Sequence, residues 1–272
     1  MKIIEKTITL DDKDKPINII PIGDIHIGSA NSNKKYLKEL IDWIKNEPNT
    51  YVIGMGDYID AIIPTDKRFD IKDIDQEFQK DIANLPMKQI EYVKKIFEPI
   101  KNQIITFLPG NHEETFRQHN YVDVVYELCK YLNVERGNYM TFIRIKFDRT
   151  QFHIPPVIIW AHHGFFGGGR KKGSKVNNLE DIASGYLADI YIAGHSHDLF
   201  ATSTVQLGIA QSGKQVYTKK KIFINTGTFL NTITTQSEGY SERKAYIPKK
   251  IGVIKIEITP KSHGIADIHI RE

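Results

Sequence analysis

The sequence predicts an α/β fold in which layers of helix pack against layers of sheet. The first observation is that short runs rich in isoleucine and valine alternate with helical patterns through most of the 272 residues. The second is that each run is closed by glycine or by Pro-Gly. Continuous apolar runs of this kind are typical of strands buried on both faces of a sheet. Alternating strands and helices favour an α/β layer architecture.

Five runs are predicted as buried strands: INIIPIG, TYVIGMG, QIITFLPG, PVIIWAHHG and DIYIAGH. The last third of the chain changes character. Its apolar segments, with no helix between them, are KKIFINTGTFL, IGVIKIEITP and GIADIHIRE. This pattern predicts antiparallel strands that complete a second sheet.

Four segments between the strands have helical periodicity. NKKYLKELIDWIKN places Leu37, Leu40, Ile41 and Ile44 along one face, with Asn33 as a plausible N-cap. The other three are MKQIEYVKKIFEPI, VDVVYELCKYL and NNLEDIASGYL. These segments would form the helices that cover the sheets.

The composition is that of an ordinary globular chain, with 40% hydrophobic and 26% charged residues, which excludes disordered and collagen-like classes. Because there is no linker, repeat or low-complexity tract, we expect a single domain over residues 1–272. The absence of an apolar membrane span or signal segment predicts a cytoplasmic protein with no membrane partner. The single Cys129 excludes disulfides and cysteine zinc sites. A net charge of +4 permits an anionic substrate without requiring one.

Each of the five predicted strands ends in polar side chains that are able to bind metal. They are Asp24 and His26 in GDIHIGSA, Asp57 in GDYID, Asn111 and His112 in GNHEE, His162 and His163 in AHHG, and His195 and His197 in GHSHD. In α/β sheets, ligands gather in the crevice outside the carboxyl ends of the strands. One such loop is ordinary turn chemistry, but five indicate a shared site.

The types of donor also narrow the choice of metal. Imidazole and carboxylate without thiolate suit manganese, iron, nickel, cobalt or zinc rather than calcium. The donors outnumber the ligands of one tetrahedral ion. Two ions about 3.5–4 Å apart, bridged by one carboxylate, would use them. We therefore expect two divalent ions as cofactors.

The ordered series GDIH, GDYID, GNHE, HH and GHSH resembles the calcineurin-like metallophosphoesterases, and the resemblance spans roughly residues 18–232. This family includes protein phosphatases, cyclic-nucleotide phosphodiesterases and nucleases of the Mre11 and SbcD type. The resemblance implies a four-layer α/β/β/α sandwich of two mixed sheets flanked by helices. It also implies two divalent metal ions, of which manganese is the first choice. A hydroxide held between the two ions would attack phosphorus.

The resemblance assigns roles to the motif residues. One metal would be held by Asp24, His26 and His197, and the other by Asn111, His195 and one histidine of the HH pair, with Asp57 bridging both. Of that pair we expect His162, the first after the strand, to be the ligand. His163 would then lie behind the ligands or contact the substrate.

The same resemblance makes His112 the group that faces the leaving oxygen, as general acid or charge stabiliser. Asp60, three residues after the bridging aspartate, would fix the tautomer of His112. The alternative for Asp60 is a loop-capping aspartate. None of the expected ligands is missing, which disfavours a non-catalytic scaffold.

The expected substrate is a phosphoester, with nucleic acid among the candidates. Protein phosphatases carry arginines where this chain has Ala61 and Pro109, which disfavours that activity. In HHGFFGGGRKKGSK, the cations are Arg170, Lys171, Lys172 and Lys175, which could grip phosphates that flank the scissile one. A solvated loop is the alternative.

From the metal motifs and this basic segment we predict a phosphodiesterase or nuclease acting on nucleic acid or nucleotides. The alternative is a phosphomonoesterase acting on a small metabolite or nucleotide. The oligomeric state is left open.

Overall fold

The computed structural model describes residues 1–10, 15–64, 66, 69–148, 154–164, 171–209, 213–232, 247–261 and 266–272. The strands are β1 (Lys2–Thr9), β2 (Ile17–Ile22), β3 (Thr50–Gly54), β4 (Ile104–Phe107), β5 (Glu135–Arg136), β6 (Met140–Asp148), β7 (Val157–His162), β8 (Ile190–Ala193), β9 (Leu199–Ile209), β10 (Val216–Thr226), β11 (Lys255–Thr259) and β12 (Asp267–Arg271). The α-helices are α1 (Lys34–Asn46), α2 (Gln76–Gln79), α3 (Leu85–Phe97), α4 (Asn111–Asn120), α5 (Val124–Leu132) and α6 (Lys172–Gly185). Short 3-10 helices occupy Ile71–Asp73, Ile82–Asn84 and Glu98–Gln103.

Within these described residues the strands form two six-stranded sheets. The first sheet has the order β1-β6-β7-β8-β10-β9, and the second has the order β12-β11-β2-β3-β4-β5. Strands β2, β3, β4 and β5 run parallel, whereas β11 and β12 add to that sheet in antiparallel fashion. The first sheet is also mixed, because β7, β8 and β10 are parallel neighbours and β9 pairs with β10 in antiparallel fashion.

Three apolar cores separate four layers. Between the two sheets lie isoleucines such as Ile19, Ile53 and Ile159. Helices α1, α3 and α5 cover the outer face of the second sheet through one core, and α6 covers the outer face of the first sheet through another. The predicted α/β/β/α sandwich of two mixed sheets flanked by helices is therefore confirmed.

Helix α1 begins and packs as its sequence predicts. The side chain of Asn33 accepts the backbone N–H of Tyr36 at 3.0 Å, which satisfies one of the free donors of the first turn. The buried face consists of Leu37, Leu40, Ile41 and Ile44. Among the described helices, none is both long and apolar enough to cross a membrane.

The last third of the chain differs from its prediction. Strand β10 joins the first sheet and lies parallel to β8, whereas β11 and β12 extend the second sheet. The three strands are therefore divided between the two sheets and do not together complete the second sheet in the way that the sequence pattern predicted. The reason is the apolar run Ile222, Phe223 and Ile224, which is buried on both faces and suits an interior strand. Strand β11 is buried only at alternate residues.

Candidate active site

Five loops that follow parallel strands meet at one edge of the sandwich. Strands β2, β3 and β4 deliver three loops from one sheet, and β7 and β8 deliver two from the other. The backbone N–H of Asp24 donates to the carbonyl of Gly56 at 3.0 Å, within one sheet. Across the sheets, the N–H of His195 donates to Asp24 Oδ2 at 3.0 Å. Hydrogen bonds donated by backbone N–H groups of the predicted motif residues thus link the loops of the two sheets into one cluster.

The backbone of this cluster adopts an unusual conformation. The left-handed region contains Asp24 (φ 52°), His26 (φ 51°), Asp57 (φ 54°), His195 (φ 65°) and His197 (φ 58°). Aspartate and histidine tolerate this region better than most residues, but each such residue still costs on the order of 1 kcal/mol or more. Strain of this kind persists where the surrounding contacts enforce it, and it is concentrated at functional sites.

One group of donors combines Asp24, His26 and His197, whose candidate ligand atoms lie within 4.8 Å of one another. Asp24 Oδ1 lies 3.2 Å from His197 Nε2. His26 is 3% exposed, and neither of its ring nitrogens has a hydrogen-bond partner. Burial lowers the pKa of His26 and favours its neutral form, which is the form that binds metal.

A second group combines Asp57, His163 and His195. His163 Nε2 lies 3.3 Å from Asp57 Oδ2 and 3.0 Å from Asn111 Oδ1. Its Nδ1 lies 2.7 Å from the carbonyl of Met55, which fixes a proton on Nδ1 and leaves Nε2 aimed at the cluster. Burial opposes the protonation of His163, but the charge of Asp57 outweighs it and raises the pKa of His163 to about 10. The buried carboxylates therefore attract positive charge at this point.

The two adjacent histidines, of which His162 was the expected ligand, lie in different surroundings, and His163 is the one among the clustered donors. His162 is absent from the donor groups formed by the described residues. Its Nδ1 accepts the N–H of Gly164 at 2.8 Å, and its ring stacks on Trp160 with 5.7 Å between centroids. Burial lowers the pKa of His162 to about 4. Side chains alternate along a strand, so His162 shares the face of Trp160 toward α6, and His163 faces the space between the sheets.

His112 and Asp60 also lie together, although not as expected. The ring Nδ1 of His112 lies 2.6 Å from the backbone carbonyl of Asp60, and 3.8 Å from its carboxylate Oδ1. That carboxylate lies closer to His26 Nδ1, at 3.5 Å. The carbonyl rather than the carboxylate therefore orients His112. The backbone N–H of His112 donates to Asp57 Oδ1 at 3.0 Å.

Glu113 was not singled out in the sequence, yet it connects two of the loops. Its carboxylate is buried in the first turn of α4 and accepts four backbone N–H groups, those of Asp57, Tyr58, Ile59 and Gly110, at 2.7–3.2 Å. Burial and the charge of Asp57 raise the pKa of Glu113 to about 7. A glutamate three residues after a helix start is a recognised capping signal, so this contact could have been predicted.

Gln89 of α3 is a second residue that the sequence analysis missed. It is buried, and its Oε1 accepts the N–H of Ala61 at 3.0 Å. Its amide also packs on Gly28, where an added Cβ would lie 1.9 Å from Gln89 Nε2. Gln89 thereby fixes the loops that follow His26 and Asp60. One polar residue on an otherwise apolar helix face was the available signal.

The predicted basic loop is only partly described. Arg170 lies outside the described residues, and Lys171 is exposed just before α6. Lys172 Nζ donates to the carbonyl of Leu199 at 3.0 Å. Lys175 is buried and pairs with Asp198, which also accepts Lys249 Nζ at 2.5 Å. Lys172 and Lys175 therefore hold the segment that connects β8 to β9, Lys172 from the surface and Lys175 from a buried position.

The donor chemistry fits a pair of divalent cations. Carboxylates, imidazoles and the Asn111 amide oxygen converge here, and the buried nitrogens of His26 lack hydrogen-bond partners. Such orphaned buried groups are costly unless something binds them. Asp24, His26 and His197 could hold one ion. Asp57, His163 and His195 could hold another, with Asn111 Oδ1 beside His163.

Comparisons with known proteins agree with this chemistry. Residues 17–199 match the model of the calcineurin-like phosphoesterase family. Over 114 residues the chain is 30% identical to the DNA polymerase II small subunit of Thermoplasma acidophilum, a match that covers 38% of this chain and 20% of that protein. The chain thus spans about a fifth of that relative's length.

Comparison with solved structures also gave matches over most of the chain. Vacuolar Protein Sorting 29 from Cryptosporidium parvum is 14% identical, with a TM-score of 0.38 and coverage of 95% of this chain and 98% of that chain. A metallophosphoesterase from Sphaerobacter thermophilus is 8% identical, with a TM-score of 0.32 and coverage of 94% and 89%.

Proposed function

The chain belongs to the calcineurin-like phosphoesterase family, a family of hydrolases that depend on two divalent metal ions, and on that premise we propose that it cleaves phosphodiesters of nucleic acid or nucleotides. Phosphoester hydrolysis is the chemistry of the family. The choice of diesters, and of nucleic acid among them, is the proposal.

Seven side chains of the cluster would hold the two ions: Asp24, His26, Asp57, Asn111, His163, His195 and His197. Manganese is the proposed native metal because it accepts mixed imidazole and oxygen donors. When bound, the two cations neutralise charge on the phosphoryl oxygens and lower the pKa of a coordinated water to about 7.

His112 is the proposed donor of a proton to the leaving oxygen. The backbone carbonyl of Asp60 accepts a hydrogen bond from Nδ1–H of His112, with 2.6 Å between Nδ1 and the oxygen, so the proton that the imidazolium can transfer is the one on Nε2. The His112 ring stands edge-on to His26, with 4.7 Å between centroids, which places it beside the first group of ligands. His112 also forms a third group of candidate donors with His26 and Asp60, whose ligand atoms lie within 4.8 Å of one another. The proposal gives His112 the proton-donor role beside the ligands.

The observation that carries the choice of diesters is the absence of a cationic side chain among the clustered ligands. Within the described residues, every ion pair of this cluster joins a histidine to an aspartate, and no lysine or arginine takes part. The nearby Lys172 and Lys175 are held by Leu199 and Asp198. A phosphomonoester dianion needs more positive charge than a diester monoanion, so this site suits the diester.

Nucleic acid is the proposed source of the diester for two reasons. The local match to a protein named as a DNA polymerase subunit points in that direction. In the sequence, Arg170 and Lys171 follow the His163 motif closely and would supply cations for phosphates that flank the scissile one; Arg170 lies outside the described residues, and Lys171 is exposed.

The test is a comparison of two chromogenic substrates with the manganese-loaded protein. We expect a higher kcat/KM for bis-p-nitrophenyl phosphate than for p-nitrophenyl phosphate, and cleavage of an oligonucleotide. The Asp57→Asn variant, measured in parallel, reports any contaminating activity. A preference for the monoester would contradict the proposal and establish the phosphomonoesterase alternative.

A further inference from the structure

Strands β9 and β10 extend beyond the sheet to which they belong. Strand β8 pairs with β10 only over Ile222–Asn225, whereas β9 and β10 pair with each other over the whole of Val216–Thr226. Residues 204–209 and 216–221 therefore form a two-stranded ribbon, which we call the arm. A two-stranded ribbon without a third strand or a packed face is only marginally stable in water.

One face of the arm is apolar and open to solvent. Alternation along β9 places Val205, Leu207 and Ile209 on one face, and Val216 lies opposite Ile209 on the neighbouring strand. The exposed fractions are 64% for Val205, 75% for Leu207, 71% for Ile209 and 65% for Val216. On the same face, Ile222 is buried between the sheets. The apolar stripe of the core thus continues onto the arm, where its side chains are exposed and none of the residues that the structure describes covers them.

The free edge of the arm is also unusual for this protein. The edge strands of the two described sheets are β1, β9, β12 and β5. The charged residues of the other three are Lys2, Glu5 and Lys6 in β1, Asp267 and Arg271 in β12, and Glu135 and Arg136 in β5. Strand β9, LFATSTVQLGI, has eleven residues with no charge and no proline. Charged side chains and short length are the usual protection of an edge strand against pairing, and β9 lacks both.

We propose that β9 pairs with β9 of a second copy of this chain, so that the first sheet continues across a two-fold dimer. A two-fold axis perpendicular to a sheet relates the two edge strands in antiparallel fashion, so each contact is made twice. Because β9 is uncharged, this pairing places no like charges opposite each other. The dimer gives the arm the third strand that it lacks and brings the apolar side chains of the two arms side by side on one continuous sheet face.

A second copy fits this surface better than a charged partner. Strand pairing puts Lys220 opposite Val205, so it lies on the apolar face, and it is the only charged side chain among the arm residues of that face. It belongs to β10, the strand farther from the free edge. Nucleic acid would need several cations here. The dimer does not depend on the proposed hydrolytic activity, because the arm contains none of the candidate ligands.

The experiment is sedimentation equilibrium of the full chain over a range of concentrations. The wild type should form a dimer. Leu207→Lys should raise the dissociation constant of that dimer by at least about 100-fold, because each dimer carries the substitution twice. The matched control is Leu187→Lys, since Leu187 is 81% exposed and lies outside the arm. This control should dimerise like the wild type, and both variants should keep wild-type hydrolysis of a small diester.

A second variant and a second readout guard against misfolding. If Leu207→Lys fails to fold, Val205→Lys replaces it, with the same expected loss. Hydrogen exchange should show the amides of β9 more protected at concentrations above the dissociation constant than below it. A wild type that stays monomeric at all concentrations would overturn the proposal, as would a dimer that survives both arm variants or is weakened equally by Leu187→Lys.

Discussion

The carboxylate of Glu113 accepts the backbone N–H of Asp57 at 2.9 Å, so helix α4 holds the loop that carries the central aspartate of the cluster. The same carboxylate accepts the N–H of Gly110, the residue before α4, and α4 begins with Asn111 and His112. One buried side chain thus sets the position of two candidate site segments that follow different strands.

We predict that Glu113→Gln lowers the free energy of unfolding by about 1–3 kcal/mol, because a glutamine offers one acceptor oxygen to four buried N–H donors. Manganese affinity should fall as well, since Asp57 loses its support. Urea denaturation in the presence of a chelator measures the first effect. The control is Glu114→Gln, whose partners on the surface are Arg117 and Gln118, and it should cost about 1 kcal/mol or less. Equal losses in the two variants would refute the positioning role.

We predict that the two adjacent histidines differ in their effect on metal content. His163→Ala should lose one manganese ion per chain, because the Nε2 of His163 faces Asp57 and Asn111. His162→Ala should keep both ions, since its ring stacks on Trp160. Metal analysis after dialysis distinguishes them. If His162→Ala loses the ion and His163→Ala retains it, the original expectation from the sequence is right.

We predict that removing the His112 side chain lowers the rate, whereas removing the Asp57 side chain lowers the metal content. His112→Ala should retain both ions and lose about 10²- to 10⁴-fold in rate, the usual contribution of a general acid. This loss should be smaller for p-nitrophenolate, a leaving group that needs little protonation, than for a sugar alkoxide. Asp57→Ala should instead lose metal, because the two cations would face each other without the bridging carboxylate.

Metal analysis and rates on both kinds of leaving group test this pair of variants. A His112→Ala protein that loses metal like Asp57→Ala would place His112 among the ligands. So would a rate loss that is the same for good and poor leaving groups.

We predict that two lysines of the basic segment have unrelated functions. Lys175→Met should lower the free energy of unfolding by about 2 kcal/mol, less than for a buried pair broken outright, because Lys249 still neutralises Asp198. Lys171→Met should leave stability unchanged and reduce the salt dependence of oligonucleotide binding by about one unit of slope, since it removes one phosphate contact. Thermal unfolding and binding at several salt concentrations measure both. A Lys171→Met protein with an unchanged salt slope would remove this residue from the substrate interface.

Much of the fold followed from local pattern. The strands before each metal motif and the cap at Asn33 could be predicted because burial on both faces and capping leave clear signals in the sequence. The division of the last strands between two sheets could not, because strand pairing depends on contacts between residues far apart in the chain. For the same reason the arm was not foreseen, since KKIFINTGTFL includes only the last two arm residues of β10, Lys220 and Lys221, and no segment of β9 was predicted as a strand.

The residues that form the site were easier to predict than the direction in which each side chain points. Spacing placed the candidate residues after the right strands, but it did not decide between His162 and His163. The packing of Trp160 favours His163 as the ligand, and that packing is known only once β7 is placed against α6. The carbonyl of Asp60 was beyond reach because a backbone acceptor leaves no motif. Gln89 left a signal as a polar residue on an apolar helix face, but that signal did not name its partner Ala61.

The central claim is that these loops hold two metal ions for phosphodiester hydrolysis, and a manganese titration of the chelated protein tests it most directly. Bound manganese and the rate of bis-p-nitrophenyl phosphate hydrolysis are measured on the same samples. The account predicts negligible activity without metal and full activity only as the count approaches two ions per chain. Full activity after exhaustive chelation, or a count that saturates at one ion with full activity, would contradict it.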